Sequence, residues 1–420
     1  MIRFSFVTIA VATVLAFAVA SCSSADGVRE AGVIDVAGAV AQPEELRVSD
    51  LGKRIRYVPL ETTDSSLVSS TWVLTAADGA FLVSNLGFRS DEVPCLAFDT
   101  AGRFISSVGH LGQDPEAYMS SFVVLAPDSR SAYFQSTGMQ HYSFDGKYLG
   151  SAPRGGMIGG PGVTVAVDTM FITVNDSYVG MNGPRCFSIY SQGLNSTAVD
   201  TTDIIPYPED ADNPEIGAVQ NLWSHKGVMQ NGFAWYHELQ KGKVFFYLEG
   251  GVSQVWRVGD EVHHRRIFND TIYAVTPASA DAVYLFDCGD NRVDQSAIDR
   301  HEEIDSDALF VAELFENRDM IVFGASRGWL RDDDHETFVG VYDKRTGRTR
   351  AAAGRRGFVD DLSGFLPFYP AAVTPDGHFV GVITMEDIGR YREENPEAEL
   401  PSEIAGLDDD ANPVLVIVGD

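Results

Sequence analysis

The sequence predicts an all-β fold, a six-bladed β-propeller closed by strands from both ends of the chain, with a short, partly helical insertion near the C-terminus. Three observations lead there. After residue 30 the chain alternates short runs of β-branched and aromatic residues with Gly, Asp, Asn and Pro, and shows almost no long amphipathic helical pattern. The runs are paired through tight Asp- and Gly-containing turns. The pairs fall into units of roughly 35 to 60 residues with about four strands each, the repeat of propeller blades.

The turns justify the hairpins one by one. Cys95-Leu96-Ala97-Phe98 runs through Asp99-Thr100-Ala101-Gly102 into Arg103-Phe104-Ile105. Tyr142-Ser143-Phe144 turns at Asp145-Gly146 into Lys147-Tyr148-Leu149, and Val341-Tyr342 ends in Asp343-Lys344-Arg345-Thr346-Gly347. Val373-Thr374 turns at Pro375-Asp376-Gly377 into His378-Phe379-Val380. Asp and Gly recur because such turns need positive φ, which these residues tolerate. The expected units are 62–118, 119–160, 161–205, 217–290, 305–355 and 365–418. Two β-prone segments are left over, Arg54–Leu60 at the start and Pro413–Val418 at the end. Placed in one shared blade, they close the ring and remove its open sheet edges. A pair of β-sandwiches would also give frequent hairpins, but explains the repeat and the two end strands less well. Between the last strands, Glu386 to Asn412 is polar, interrupted by Asn395-Pro396 and Leu400-Pro401, and reads as an insertion with short helices lying across one propeller face.

The N-terminus has a different character. Arg3 is followed by an apolar run from Phe4 to Ala20, the pattern of a secretory signal. It ends in Val19-Ala20-Ser21-Cys22, which resembles the lipobox of bacterial lipoproteins, and the resemblance implies that Cys22 is acylated and becomes the mature N-terminus. A membrane helix is the competing reading, and the uncharged stretch from Phe4 to Ala25 is barely long enough to span a bilayer. The expected organisation is a signal peptide over 1–21, a lipidated linker over 22–50 and the propeller over 51–420. The lipid would hold the protein to a membrane at about 0.8 kcal/mol per buried methylene. Ser23 after the cysteine, by analogy with other lipoproteins, favours the outer membrane.

The formal net charge is −29, and loss of Arg3 with the signal makes it one charge more negative. Such a surface repels nucleic acid and anionic head groups. Cys95, Cys186 and Cys288 show no CxxC spacing, and Cys95 and Cys288 lie in apolar runs that read as buried thiols. An odd count leaves at least one of the three unpaired.

Several segments resemble the six-bladed, NHL-like β-propeller lipoproteins of Bacteroides-type bacteria. Tyr57-Val58-Pro59-Leu60-Glu61-Thr62 is similar to the opening of that family, and Phe98-Asp99 through Gly102-Arg103-Phe104 to Val108-Gly109 to its next element. Gly112-Gln113-Asp114-Pro115-Glu116-Ala117-Tyr118 resembles the family's G-Q-G-P-G-E-Y loop, with Asp114, Glu116 and Ala117 departing from it. Asn269-Asp270-Thr271-Ile272-Tyr273 and Asn412-Pro413-Val414-Leu415-Val416 complete the likeness, which spans nearly all of the mature chain. It implies the fold and says little of the chemistry.

The loop from Gln113 to Tyr118 is the leading candidate for ligand binding, against the bland reading that Pro115 and Tyr118 simply pack on the next blade. It joins two blades at the mouth of the propeller, where Gln113, Asp114, Glu116 and Tyr118 would offer acceptors, donors and an aromatic face to a polar ligand such as a sugar. Gly324-Ala325-Ser326-Arg327-Gly328 fits the nucleophile-elbow string, but a strand follows where that chemistry needs a helix. Asp332-Asp333-Asp334-His335-Glu336 lacks the spacing of a calcium loop and reads as a hairpin tip. His263-His264-Arg265-Arg266 reads as a surface strand able to contact an anion. Gly155 to Gly162 lacks the Lys-Ser/Thr of a phosphate loop. Asp99-Thr100-Ala101, Asp168-Thr169-Met170 and Asp270-Thr271-Ile272 resemble a three-residue O-glycosylation signal of Bacteroides-type exported proteins. No motif requires a cofactor or a metal. The expectation is a non-enzymatic binding or scaffold propeller for a glycan, a peptide or an envelope protein. The alternative is a lyase or hydrolase whose site in the central channel draws on His110, His141, His225, His237 and Glu116.

Overall fold

The structure is a computed structural model. It describes residues 31–420 except 70–71, 86–92, 157, 159–162, 179–184, 207–217, 222–232, 240–242, 250–254, 267–268, 293–306, 328–335 and 355–356. Six antiparallel blades stand in a ring, in sequence order. Blade one is Trp72–Ala77, Ala80–Asn85, Cys95–Asp99 and Phe104–Val108. Blade two is Val124–Leu125, Ser131–Gln135, Met139–Ser143 and Tyr148–Ala152. Blade three is Thr164–Val167, Met170–Tyr178, Arg185–Gly193 and Val199–Ile205. Blade four is Val255–Val258, Glu261–His264, Thr271–Val275 and Ala280–Asp287. Blade five is Leu309–Glu316, Met320–Arg327, Glu336–Asp343 and Arg348–Ala353. Blade six is Pro370–Val373, Phe379–Ile383, Val414–Gly419 and, from the other end of the chain, Arg54–Pro59.

First strands touch around the axis between blades two and three, three and four, five and six, and six and one. Successive strands reverse direction, so the connections sort onto two faces. Turns between first and second strands and between third and fourth strands lie on one face, and are tight. The three-residue connection between the second and third strands of blade two lies on the other, as does the joint between blades one and two from Gly109 to Val123.

The closure follows the expectation. Arg54–Pro59 pairs antiparallel with Val414–Gly419, with Tyr57 opposite Val416. Asn412 staples the junction: its buried side chain accepts from the Val68 N–H at 3.0 Å and donates to the Glu61 and Ser66 carbonyls, both at 2.8 Å. The two end segments that carry the family resemblance are thus in contact. The turn at Asp99–Gly102 joins the same seam, since the Glu61 N–H donates to the Gly102 carbonyl at 2.8 Å.

Two parts differ from expectation. The unit drawn as 217–290 contains more than a blade: Ala218–Asn221, Phe233–Leu239 and Lys243–Glu249 form a separate three-stranded sheet ahead of blade four. The stretch expected as linker is folded over its described part. Gly32–Asp35 adds a fifth, parallel strand to the outer edge of blade four, with Gly32 beside Tyr284. Helix α1, Val36–Ala41, follows, its N-terminus capped by Asp35 accepting from the Gly38 N–H. Ile34, Val36 and Val40 are buried in the core shared by blades four and five. The insertion in blade six contains helix α2, Met385–Glu394, opened by a Thr384/Asp387 capping box. Ile388 is buried and Tyr391 stands edge-on to Phe365 at 4.6 Å, so the segment packs on the propeller as expected. Among the described residues no helix is long and apolar enough to cross a membrane.

Candidate functional site

The loop expected to bind a ligand proves to be a joint between blades one and two. The Asp114 carboxylate accepts from the Glu116 and Ala117 N–H groups, both at 3.1 Å, and pairs with His110 Nε2 at 2.7 Å. The bond from His110 leads the effects that hold its carboxyl below the usual range. Blade two grips the loop from the other side: Tyr142 Oη donates to the Glu116 carbonyl at 2.5 Å and Gln140 Nε2 to the Pro115 carbonyl at 2.7 Å. Tyr118 is fully buried. Its ring stacks on Phe134 at 4.5 Å, and its hydroxyl donates to the Val108 carbonyl at 3.0 Å while accepting the Cys95 N–H at 2.9 Å. Tyr118 is therefore a core residue with no free face for a ligand, a correction forced by the aromatic stack and the two satisfied hydrogen bonds. Gln113, Asp114 and Glu116 are exposed.

The residues considered for catalysis are not assembled. His110 is engaged with Asp114, while His141 bonds Ser131 at 2.8 Å and stacks on Tyr133 at the tight-turn end of blade two. Cys22, His225, Gly328 and Asp332 to His335 lie outside the described residues, as does the side chain of His237. Cys95, Cys186 and Cys288 are buried and in no disulfide, and burial pushes the Cys95 and Cys288 thiols up to about 12.

His263 and His264 were expected on a surface strand; both are buried. Adjacent residues of a strand point to opposite faces, so the pair divides between two blade interfaces. His264 turns to blade three, where its Nε2 lies 2.9 Å from Asp176, which also takes a two-pronged bond from Arg185 at 2.7 and 2.6 Å. Burial alone would raise Asp176; the bonds from Arg185 and His264 outweigh it and hold the carboxyl well below the ordinary range.

His263 turns to blade five and lines a cleft of about 360 Å³ that opens between blades four and five. Two of its lining residues, His263 and Lys344, bond Glu316, which ends the first strand of blade five and is fully buried behind them. Glu316 Oε2 accepts from Trp256 Nε1 and from His263 Nδ1, both at 2.8 Å, and Oε1 from Lys344 Nζ at 2.6 Å. Burial would raise this carboxyl, and the bonds from His263 and Lys344 hold it below its usual value instead. Lys344 also donates to the Asn317 carbonyl at 2.6 Å and lies 5.3 Å from the Tyr284 ring centroid. His263 Nε2 is 3.3 Å from the half-exposed Glu261 carboxylate. Tyr284 and Tyr342 meet edge-to-face at 5.9 Å on the cleft wall, against Gly32.

Arg318 stands at the rim, in the turn after Glu316. Asn317 shapes that turn by accepting from the Asp319 and Met320 N–H groups at 2.9 and 2.8 Å. The Arg318 side chain lies over Gly259, where a Cβ would come within 3.2 Å of its Nε. It is exposed and has no hydrogen bond or ion pair among the described residues. Chemically, the cleft backs onto a neutralised buried carboxylate, and its lining offers one guanidinium without a partner among the described residues, the Glu261 carboxylate and the rings of Tyr284 and Tyr342. Both ring nitrogens of His263 are engaged by carboxylates, which suits binding better than proton transfer. Among the described residues no group of three or more His, Cys, Asp or Glu is placed to hold a metal ion. The dipeptide His263-His264 had drawn attention in the sequence, but nothing there linked it to Glu316, 53 residues on.

A closed six-bladed propeller with a polar cleft between two blades defines the class of protein. Residues 31–419 match the family described as "Domain of unknown function (DUF4934)", and the chain belongs to that family. No curated protein matches the chain. Among solved structures it is similar to a protein named as exported, from Bacteroides fragilis, at 10% identity and a TM-score of 0.47, covering 92% of this chain and 98% of that one. It is also similar to the WD40 domain of SCAP from fission yeast, at 7% identity and a TM-score of 0.29, covering 87% of each chain. A neuraminidase-like protein of a flat-faced bat influenza virus gives 10% identity and a TM-score of 0.28, covering 90% of this chain and 95% of that one.

Proposed function

We propose that this protein is exported, lipid-anchored through Cys22 in the cell envelope at the outer membrane, and acts as a non-enzymatic binding propeller. Its ligand is a glycan, a peptide or a segment of an envelope protein, held at the cleft between blades four and five. The apolar run and the Val19-Ala20-Ser21-Cys22 string support the anchor. The observation that carries the binding reading is Arg318, without a partner among the described residues, at the rim of a cleft whose lining residues His263 and Lys344 already balance the buried Glu316. A donor held ready beside a preorganised lining loses little freedom when a ligand arrives. The exposed Gln113, Asp114 and Glu116 form a second, flatter contact surface.

The test is an array of glycans and peptides probed with the mature chain carrying Cys22→Ser. Saturable binding that falls with Arg318→Ala supports the cleft. Binding that survives Arg318→Ala and falls with Gln113→Ala/Glu116→Ala moves the site to the joint between blades one and two. An empty array contradicts a glycan or peptide ligand and leaves a protein scaffold.

A further inference from the structure

We propose that the cleft between blades four and five takes a hexuronate, a sugar ring that carries a carboxylate. The inference rests on the cleft being the binding site, and adds the ligand class. The volume, about 360 Å³, falls at the small end of ligand pockets, the size range of one or two sugar rings. The rim guanidinium of Arg318 is planar, and its fork of N–H donors matches a carboxylate in two-pronged geometry. Lys344 has three N–H donors and spends two, on Glu316 and on the Asn317 carbonyl, leaving one. In a chain of net charge −29, a lining that holds Arg318 and Lys344 beside the single carboxylate Glu261 is less hostile to a carboxylate than the surface at large.

The rest of the lining fits a sugar rather than a bare anion. Glu261, whose side chain is 54% exposed, is an acceptor for ring hydroxyls, which a bare anion lacks. Tyr284, half-buried, supplies aromatic surface for the C–H face of the ring, and the largely buried Tyr342 lines the cleft beside it. The strand Gly32–Asp35 sets these rings in place, because a Cβ at Gly32 would lie 2.9 Å from the Tyr284 ring and 3.3 Å from Tyr342 Oη. Glu316 holds Lys344 and His263 in position from behind, so the donors are fixed before the ligand enters.

Calorimetric titration of the mature Cys22→Ser chain tests this with glucuronate, galacturonate, glucose, acetate and an unsubstituted tripeptide. A hexuronate is expected to bind saturably and at least tenfold more tightly than glucose or acetate. Arg318→Gln is expected to weaken it at least tenfold, with a thermal midpoint within a few degrees of the parent. A uronate trisaccharide arm separates a polymer end, which binds more tightly than the free acid, from a free sugar acid, which binds equally well. Glucose or acetate binding as well as the hexuronates overturns the proposal, as does binding indifferent to Arg318→Gln. If the array yields another ligand that Arg318→Ala abolishes, the binding site stands and the hexuronate falls. If neither experiment shows binding, both fall.

Discussion

Two buried carboxylates, Asp176 and Glu316, are the residues on which neighbouring blades agree. Each is held ionised by partners from another blade, His264 for Asp176 and His263 for Glu316. Removing one partner of a buried pair leaves the other charge uncompensated, at about 3–5 kcal/mol. Asp176→Asn and Glu316→Gln are each expected to lower stability by about that amount in urea denaturation. The pH dependence has a definite sign. The folded-state pKa of Asp176 lies below the unfolded value of about 3.9. Its contribution is therefore complete at neutral pH and is lost as pH falls below about 4 toward the folded value. The difference between parent and Asp176→Asn should shrink over that acid range. The dipeptide His263-His264 was visible in the sequence, and strand alternation shows that its members face opposite ways. Their partners were not legible, since they lie 53 and 88 residues away and only the ring brings them close. Burial of the three thiols gives a further expectation: native Cys22→Ser chain is inert to a thiol reagent at pH 8, and Cys95, Cys186 and Cys288 all react once it is unfolded.

Hairpins were the most legible elements because their cause is local. The turn at Gly102 shows why. Its φ is +82°, and a Cβ there would stand 2.1 Å from the Pro59 carbonyl oxygen of the closing strand. Gly102→Ala combines backbone strain with a clash against backbone, and is expected to cost more than about 1–2 kcal/mol, measured as a lowered denaturation midpoint. Tyr118 shows the opposite case. In sequence it sits among Gln113, Asp114 and Glu116 and reads as part of an exposed loop. In the fold its hydroxyl satisfies the Cys95 N–H inside blade one. Tyr118→Phe is expected to cost roughly 1–3 kcal/mol, the penalty of an unmet buried donor, without changing ligand binding at the cleft. The strand Gly32–Asp35 and helix α1 escaped notice because four and six residues are too few to show a period.

At the scale of the whole molecule, the two leftover β-prone segments predicted closure, and they pair residue for residue. The number of blades followed from the repeat, although the fourth unit also contained an extra sheet that no spacing revealed. The chain also makes a second, outer clasp. Gly32–Asp35 joins blade four, helix α1 packs on the last strand of blade five, and Arg54–Pro59 completes blade six. The N-terminal segment thus ties three consecutive blades together on the side where the cleft opens. Gly32, at the start of that segment, lines the cleft, whose rim residue Arg318 has no partner among the described residues and is the natural place to test the proposal. The most direct measurement is equilibrium binding of the strongest array ligand to the mature Cys22→Ser chain and to its Arg318→Gln variant at equal stability. The account predicts at least a tenfold loss of affinity in the variant. Equal affinity in the two would contradict it and place the site elsewhere on the propeller.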